Sequence, residues 1–255
     1  MNPAILAVGS FLIYAHSRGQ SPLLGVIRDW FPLVLLLLAY REMGWFAPPS
    51  HEPALENAWI AWDRVVLREW RLHAAIELLG PVLPSILEIA YTLVYALGPF
   101  AVAVLYAYRR RDRVPLFLLP FSLAVLLCYV QFPLWPSEPP RTVFPGQDIP
   151  TWVTVFRRFN AWMLGGYGIH TSVFPSAHVA GAFSAAFGAF RALPERPWVS
   201  RLLFVMAVLI ATATVYGRYH YLADALAGLA MSLVALGITF WLGRPRRQAT
   251  RISPG

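Results

Sequence analysis

The sequence predicts an all-α protein, a polytopic transmembrane helix bundle that forms one membrane domain over residues 1–255. Of the 255 residues, 58% are apolar and 13% are charged. A soluble domain usually has about a quarter charged residues, so this composition favours a membrane protein. The mean hydropathy of +0.54 agrees. Several apolar runs also reach about 20 residues, the length of a bilayer-spanning helix.

Six apolar runs are predicted to span the membrane, and a seventh is marginal. The six are residues 30–46, 84–108, 114–133, 176–194, 200–217 and 221–242. Residues 3–16 are apolar but lack a basic start and a small-residue cleavage motif. We therefore expect a retained helix or surface anchor there rather than a signal peptide.

The positions of the basic residues predict the orientation. The net charge is +8, and every basic residue is Arg. The Arg residues cluster near 109–113, 191–201 and 244–251, beside apolar runs, as cytoplasmic loops do. This pattern argues against nucleic-acid binding, and it predicts a cytoplasmic C-terminus. An Arg-, Ala-, Pro- and Leu-rich composition without Lys fits a GC-rich bacterial genome, so we expect a bacterial inner membrane.

Two long segments are then expected on the extracytoplasmic side. Residues 47–82 include an amphipathic stretch in which Trp and charged residues alternate. Such a stretch suits a helix at the membrane interface or a helix packed over the mouth of the bundle. Residues 134–175 are rich in Pro, Gly and aromatic residues, and we expect an ordered loop.

The first polar group on this side is Arg141, which follows Pro139 and Pro140. An Arg on a rigid backbone can bind phosphate through two hydrogen bonds. The alternative is an interfacial Arg that extends its charge to water.

The second group, Pro175-Ser176-Ala177-His178, opens a predicted span. The free N–H groups of a helix start favour an anion, Ser176 adds a hydroxyl donor and His178 adds a titratable imidazole. An ordinary capped helix start is the alternative.

The third group contains His220 and Asp224 at the start of the last span. Residues four apart share a helix face, and a carboxylate there can orient an imidazole nucleophile. The alternative is a purely structural hydrogen bond. Gly228, one turn later, is predicted to permit close helix packing.

Together, these groups predict a site for phosphoryl chemistry. Two His, an Asp, the guanidinium groups of Arg141 and Arg218 and two helix starts provide anion binding, a nucleophile and a proton donor. Zinc held by His178, His220 and Asp224 is a second possibility, although the Arg residues would repel a cation. A transporter with a polar outer vestibule is a third, but the spans are almost uncharged at their middles, with Glu88 as the main exception.

These motifs resemble those of the type 2 phosphatidic acid phosphatase superfamily. Pro175-Ser176-Ala177-His178 resembles its second signature, His220-x-x-x-Asp224 its third, and Pro139-Pro140-Arg141 the end of its first. The resemblance covers residues 84–242, the expected catalytic core, with 47–82 as an outer interfacial segment. It implies an integral-membrane lipid phosphatase or phosphotransferase.

The sequence departs from the usual signatures at three positions. Leu134 replaces a Lys, Thr214 replaces an Arg and Ala177 replaces a Gly, while Arg218 stands two residues before His220 as a substitute cation. These departures look more like the lipid phosphotransferase branch that includes inositol phosphorylceramide synthases. A plain phosphatase of the phosphatidic acid or polyprenyl phosphate type is the alternative.

The resemblance also implies the roles of the site residues. His220 would attack phosphorus and form a phosphohistidine, Asp224 would orient it, and His178 would protonate the leaving group and then activate the acceptor. Arg141, Arg218 and Ser176 would bind the phosphate. No metal or other cofactor is expected. The expected partners are a lipid phosphate, water or an alcohol acceptor, and membrane lipids; His170 and Glu88 receive no role.

Overall fold

The computed structural model describes residues 22–243, which form a bundle of α-helices and contain no strand. We number the helices α1 to α10. They are α1 Pro22–Met43, α2 Pro53–Arg64, α3 Leu72–Glu77, α4 Val82–Ala107, α5 Val114–Tyr129, α6 Pro140–Val143, α7 Val155–Tyr167, α8 Ala177–Ala192, α9 Pro197–Tyr216 and α10 Leu222–Leu242. A π-helical turn, Val65–Glu69, follows α2, and a short 3-10 turn, Arg111–Arg113, precedes α5.

Five stretches within the described residues are long and apolar enough to cross a membrane: α1, α4, α9, α10 and α5 with its preceding turn. The predicted span 176–194 corresponds to α8, which has only 16 residues. At about 1.5 Å per residue this helix is shorter than the apolar core of a bilayer. The polytopic bundle is therefore confirmed, whereas the marginal segment 3–16 lies outside the described residues.

The short helix α8 lies at the centre of the bundle, where it contacts α4, α5, α9 and α10. Its sequence is rich in Ala and Gly, and eleven of its residues are buried. Small side chains let neighbouring helices approach closely. At Gly188, a Cβ atom would lie 3.0 Å from the carbonyl oxygen of Phe117 in α5. The central position explains why α8 is shorter and less hydrophobic than its neighbours.

Helix α1 is attached to the bundle at both ends. At its start, Asp29 is almost completely buried and accepts hydrogen bonds from the Tyr106 hydroxyl and from Arg111 Nε, both at 2.7 Å, and from Arg28. Near its end, the Tyr40 hydroxyl accepts a hydrogen bond of 2.9 Å from the backbone N–H of Ile169. These contacts dock α1 against the turn before α5 and against the chain that leads into α8.

The two segments predicted outside the membrane both fold into helices. Helix α2 buries Glu56, Trp59, Ile60 and Asp63 and contacts α6 and α10, so it packs over the mouth of the bundle. The prediction of a loop over 134–175 was wrong for α7, a 13-residue helix. Its buried Asn160 docks on α4, and this contact between distant residues is not visible in local sequence composition.

We predict that Gly228 is required for the contact between α10 and α8. A Cβ atom there would lie 2.4 Å from the backbone carbonyl oxygen of Ser176, which cannot move without displacing the start of α8. Gly228→Ala should lower the free energy of unfolding by about 1–3 kcal/mol, as overpacked substitutions do.

Gly237 on the same helix is the matched control. No atom of residues 22–243 lies within 4 Å of a Cβ atom at that position. Gly237→Ala should be neutral or stabilise the protein by up to about 1 kcal/mol through helix propensity. Thermal unfolding in detergent measures both variants, and equal stability of the two would contradict the packing argument.

Candidate active site

The site is built around two imidazole rings that the fold brings together from different helices. His220 precedes α10, and His178 lies in the first turn of α8. His220 Nε2 is 3.3 Å from His178 Nδ1, and His220 Nδ1 is 3.3 Å from Asp224 Oδ2. The three residues predicted to carry the chemistry therefore form one continuous array.

The hydrogen-bonding capacity of Asp224 fixes the polarity of this array. Asp224 Oδ2 already accepts from the backbone N–H of Tyr221, so His220 Nδ1–H donates to the same acceptor oxygen and His220 Nε2 carries the lone pair. His178 Nδ1–H then donates to that lone pair. His178 Nε2 accepts in turn from the Tyr95 hydroxyl on α4, 3.1 Å away. Tyr95 was not predicted, because nothing in the sequence links residue 95 to residue 178.

Backbone hydrogen bonds hold the two helix starts in register. The N–H of Ser176 donates to the carbonyl oxygen of Asp224 at 3.0 Å, and the N–H of Tyr221 donates to Asp224 Oδ2 at 2.8 Å. Ser176 is buried and caps α8, where its Oγ accepts from the N–H of Val179 at 3.4 Å. Asp224 Oδ1 is buried and has no hydrogen-bond partner within residues 22–243.

The surroundings of His220 favour a neutral imidazole. Burial, and then the positive charge of Arg141, lower the pKa of His220 to about 3. Burial likewise lowers the pKa of Arg141. A neutral ring with its Nε2 lone pair free of a proton is the form in which histidine is a nucleophile.

The predicted cation Arg141 lies beside these rings. It is the second residue of the short helix α6, and its backbone N–H donates to the carbonyl oxygen of Arg218 at 3.3 Å. Its guanidinium group is 5.3 Å from the centre of the Tyr219 ring. Tyr219 stacks on Tyr91, which in turn contacts the ring of His178. A cation over this aromatic surface faces the region of the two histidines.

Arg218 has a different setting from Arg141. It is completely buried, with a positive φ of 62°, and its Nη1 forms a 2.6 Å ion pair with Asp63 Oδ2 on α2. Asp63 Oδ1 accepts from the N–H of Leu222 at the start of α10. Burial raises the pKa of Asp63, and Arg218 opposes this effect. Arg218 Nε and Nη2 are buried without a hydrogen-bond partner in the described part of the chain.

Helix α2 also holds the chain that carries Arg141. Glu56 Oε1 accepts a 2.7 Å hydrogen bond from the N–H of Glu138, and Glu56 Oε2 contacts the ring of His51. Trp59 stacks on Phe174, just before the start of α8, with ring centres 4.8 Å apart. Helix α2 thus contacts all three predicted polar groups through buried side chains.

Glu88, to which no role was assigned, is the centre of a buried polar network. It accepts hydrogen bonds from Arg157 at 2.9 Å, from Asn160 at 2.7 Å and from the Tyr219 hydroxyl at 2.6 Å. Arg157 also donates to the carbonyl oxygen of Gly217. The network fixes the chain immediately before His220. His170, also left without a role, is exposed.

Within residues 22–243, no three His, Cys, Asp or Glu side chains are grouped so that they could hold a metal ion. The nitrogen atoms of His178 and His220 instead contact one another, Asp224 and Tyr95.

Comparison with known proteins relates this geometry to a family. The model of the PAP2 superfamily matches residues 57–238. A PA-phosphatase related-family protein of Dictyostelium discoideum is 41% identical over 63 residues. That stretch is 25% of this chain and 11% of the Dictyostelium protein, so the chain spans a small part of the length of this relative. No solved structure matches.

We predict that Asp63 is a main stabilising residue of the site. Asp63→Asn would leave the buried Arg218 charge without its counter-charge, which typically costs about 3–5 kcal/mol. Asp112→Asn is the matched control, since Asp112 pairs with Arg113 at 4.0 Å and its own side chain is 72% exposed. Exposed ion pairs contribute about 0–1 kcal/mol. Chemical denaturation compares the two, and equal losses of stability would contradict the assignment.

Proposed function

The chain belongs to the PAP2 superfamily, and from this premise we propose that it is an integral-membrane enzyme that removes or transfers the phosphate or phospho-headgroup of a lipid. The observation that carries the proposal is the contact between His220 Nε2 and His178 Nδ1, with Asp224 behind His220. This arrangement presents a nucleophile and a proton donor to the same small region.

The proposed reaction has two steps. In the first, the Nε2 lone pair of His220 attacks phosphorus, a P–N bond forms and the P–O bond to the leaving group breaks. His178 takes up a proton when the phosphate anion binds beside it; as an imidazolium it donates one proton to the leaving oxygen and becomes neutral. In the second, the oxygen of water or an alcohol attacks the phosphohistidine, the P–N bond breaks and His178 receives the acceptor's proton. Asp224 stabilises the charge on His220 through its Nδ1–H.

The phosphate oxygens require positive donors. Arg141 is the main candidate because it lies beside the two histidines. Within the described residues, the buried Nε and Nη2 atoms of Arg218 have no hydrogen-bond partner, and a phosphate oxygen would satisfy donors whose burial otherwise costs free energy. Ser176 contributes through its position at the N-terminus of α8, where backbone N–H groups favour an anion. No metal ion is needed in this scheme.

The acceptor decides between hydrolase and transferase, and we propose the inositol phosphotransferase-like branch. Two of the three departures from the usual signatures, Leu134 and Thr214, replace a cation with an uncharged residue. Leu134 is 69% exposed, and buried Thr214 uses its carbonyl oxygen to accept from the N–H of His220. A plain lipid-phosphate phosphatase with water as acceptor is the alternative. We place the site at the extracytoplasmic face, opposite the Arg-rich loops at 109–113 and 191–201.

The first test is turnover of lipid phosphates and phospho-headgroup lipids by the purified protein, with and without inositol. Phosphate release without inositol would indicate a phosphatase, whereas a new phospholipid formed only with inositol would indicate a transferase. His220→Ala should lower either activity by at least about a thousandfold, because it removes the nucleophile.

His170→Ala is the matched control, since His170 is an exposed histidine outside the array. It should retain wild-type turnover. Rapid quenching with labelled substrate should trap a phosphoenzyme that is stable in alkali and labile in acid, and that is missing in His220→Ala. Equal turnover of His220→Ala and wild type would refute the proposed mechanism.

The pH dependence follows from the lowered pKa of His220. The nucleophile must be neutral, and a pKa of about 3 keeps it neutral until the pH falls far below 6.5. A phosphodiester lipid is the suitable substrate, because its phosphate does not titrate between about pH 7.5 and 5.5. With this substrate, kcat/KM should stay constant over that range, because His220 remains neutral. If the nucleophile were an imidazole with an ordinary pKa, its neutral fraction and therefore kcat/KM would fall about tenfold over that range.

Arg141→Gln tests the sign of this effect. Removing the nearby positive charge should raise the pKa of His220 and move the acid limb of the profile to higher pH, besides weakening phosphate binding. An acid limb that stays in place in Arg141→Gln, or one near pH 6.5 in the wild type, would contradict the assignment.

A further inference from the structure

An apolar cavity of about 300 Å³ extends from the two histidines into the bundle. His178 and His220 lie at its wall together with Tyr40, Tyr95 and Ser172. The other lining side chains are almost all hydrocarbon. The cavity therefore joins the proposed phosphate site to the membrane interior.

The depth of the cavity follows from the helices that line it. On α1 the lining runs from Tyr40 to Trp30, ten residues that correspond to about 15 Å of helix. On α5 it runs from Tyr129 to Phe121, about 12 Å. Towards the far end, Leu33 and Phe121 lie close to Gly98 of α4, whose missing side chain leaves room for both.

One side of the cavity is open between α1 and α4. Val34 and Leu37 of α1 are 51% and 55% exposed, and Tyr95 of α4 is 45% exposed, although all three line the cavity. In a bilayer these surfaces face lipid, so a chain can enter sideways without crossing water.

We propose that this cavity binds a single hydrocarbon chain of the lipid substrate and that α1 determines which chain lengths fit. The inference rests on the proposed function, because it places the phosphate of the same lipid at His220. The length of about 15 Å along α1, the volume of about 300 Å³ and the two histidines at one end match a phosphate with one attached chain. A second chain would remain in the surrounding bilayer.

The part of the chain that forms this wall is separate from the family core. Helix α1 ends at Met43, whereas the family match begins at residue 57. Residues of α1 provide a large part of the lining, namely Trp30, Leu33, Val34, Leu36, Leu37 and Tyr40. Chain-length specificity would thus be a property that α1 adds to the proposed chemistry of the core.

The test measures binding, not turnover, so that its outcome is independent of the proposed reaction. The probes are n-alkylphosphonates of increasing length, whose P–C bond the proposed reaction does not break. Protein-free nanodiscs measure how much probe partitions into lipid, so that only the probe free in water is counted. On that scale, wild-type protein in nanodiscs should bind the probes about fourfold more tightly for each added methylene, until the chain fills the cavity and the affinity levels off.

Gly181→Leu tests the cavity itself. Gly181 lines the cavity three residues after His178, and a Cβ atom there makes ordinary contacts of 3.4 Å with Val125 and 3.8 Å with Phe121. The added side chain should fill the upper cavity. The loss of affinity should be smallest for ethylphosphonate and at least tenfold for decylphosphonate. Gly237→Leu is the matched control, because a side chain there meets open space.

Leu33→Ala provides the opposite change and a check on folding. It enlarges the part of the cavity that lies far from the histidines, so the affinity should level off at a longer chain than in the wild type. The inference would be overturned by two results together. Gly181→Leu and Gly237→Leu would lose affinity equally at every chain length, and in Leu33→Ala the affinity would level off at the same chain length as in the wild type. Length-dependent binding without any turnover would instead uphold the cavity and refute the proposed function.

Discussion

The close approach of α8 and α10 is the contact on which the site depends. The Ser176 N–H donates to the carbonyl oxygen of Asp224, and Gly228 leaves space for the Ser176 carbonyl oxygen. This backbone contact fixes the distance between two helix starts, and each start carries one of the histidines. Because backbone positions are rigid compared with side chains, the 3.3 Å separation of His178 and His220 is a consequence of helix packing. The chemistry therefore does not rely on flexible loops to bring the two rings together.

Carboxylates on α2 and α4 neutralise the two Arg charges that are buried beside the histidines. Asp63 of α2 neutralises Arg218, and Glu88 neutralises Arg157. Burying a charge is unfavourable unless it is paired and hydrogen-bonded. Both ion pairs contact the chain just before His220: Arg218 belongs to it, and Arg157 donates to the Gly217 carbonyl oxygen. The loop can thus carry a positive φ at Arg218 and still present His220 in one orientation.

The sequence predicts those parts of the site that depend on local spacing. His220 and Asp224 are four residues apart, and Ser176 and His178 share a helix start, so their neighbourhood follows from helix geometry. The partners Tyr95, Asp63 and Glu88 lie 83, 155 and 131 residues from the groups they bind, and no local pattern specifies such pairs. Helix α7 was missed for a related reason. It turns Arg157 and Asn160 inward and leaves Phe156 and Phe159 exposed, the reverse of the pattern of a soluble helix.

The arrangement of polarity also explains why the site lies where it does. Ion pairs and hydrogen bonds surround His220 on the side of α2 and α7, whereas the cavity on the side of α1 is lined by hydrocarbon. A lipid phosphate is divided in the same way: its phosphate needs hydrogen-bond donors, and its hydrocarbon chain makes no hydrogen bonds with water. A lipid phosphate can therefore bind with its phosphate at the polar side and its chain in the apolar cavity. This placement holds the phosphorus near His220 without further contacts to orient it. Binding energy from the chain can in this way contribute to positioning the reacting group, as expected when remote contacts promote reaction at a distant atom.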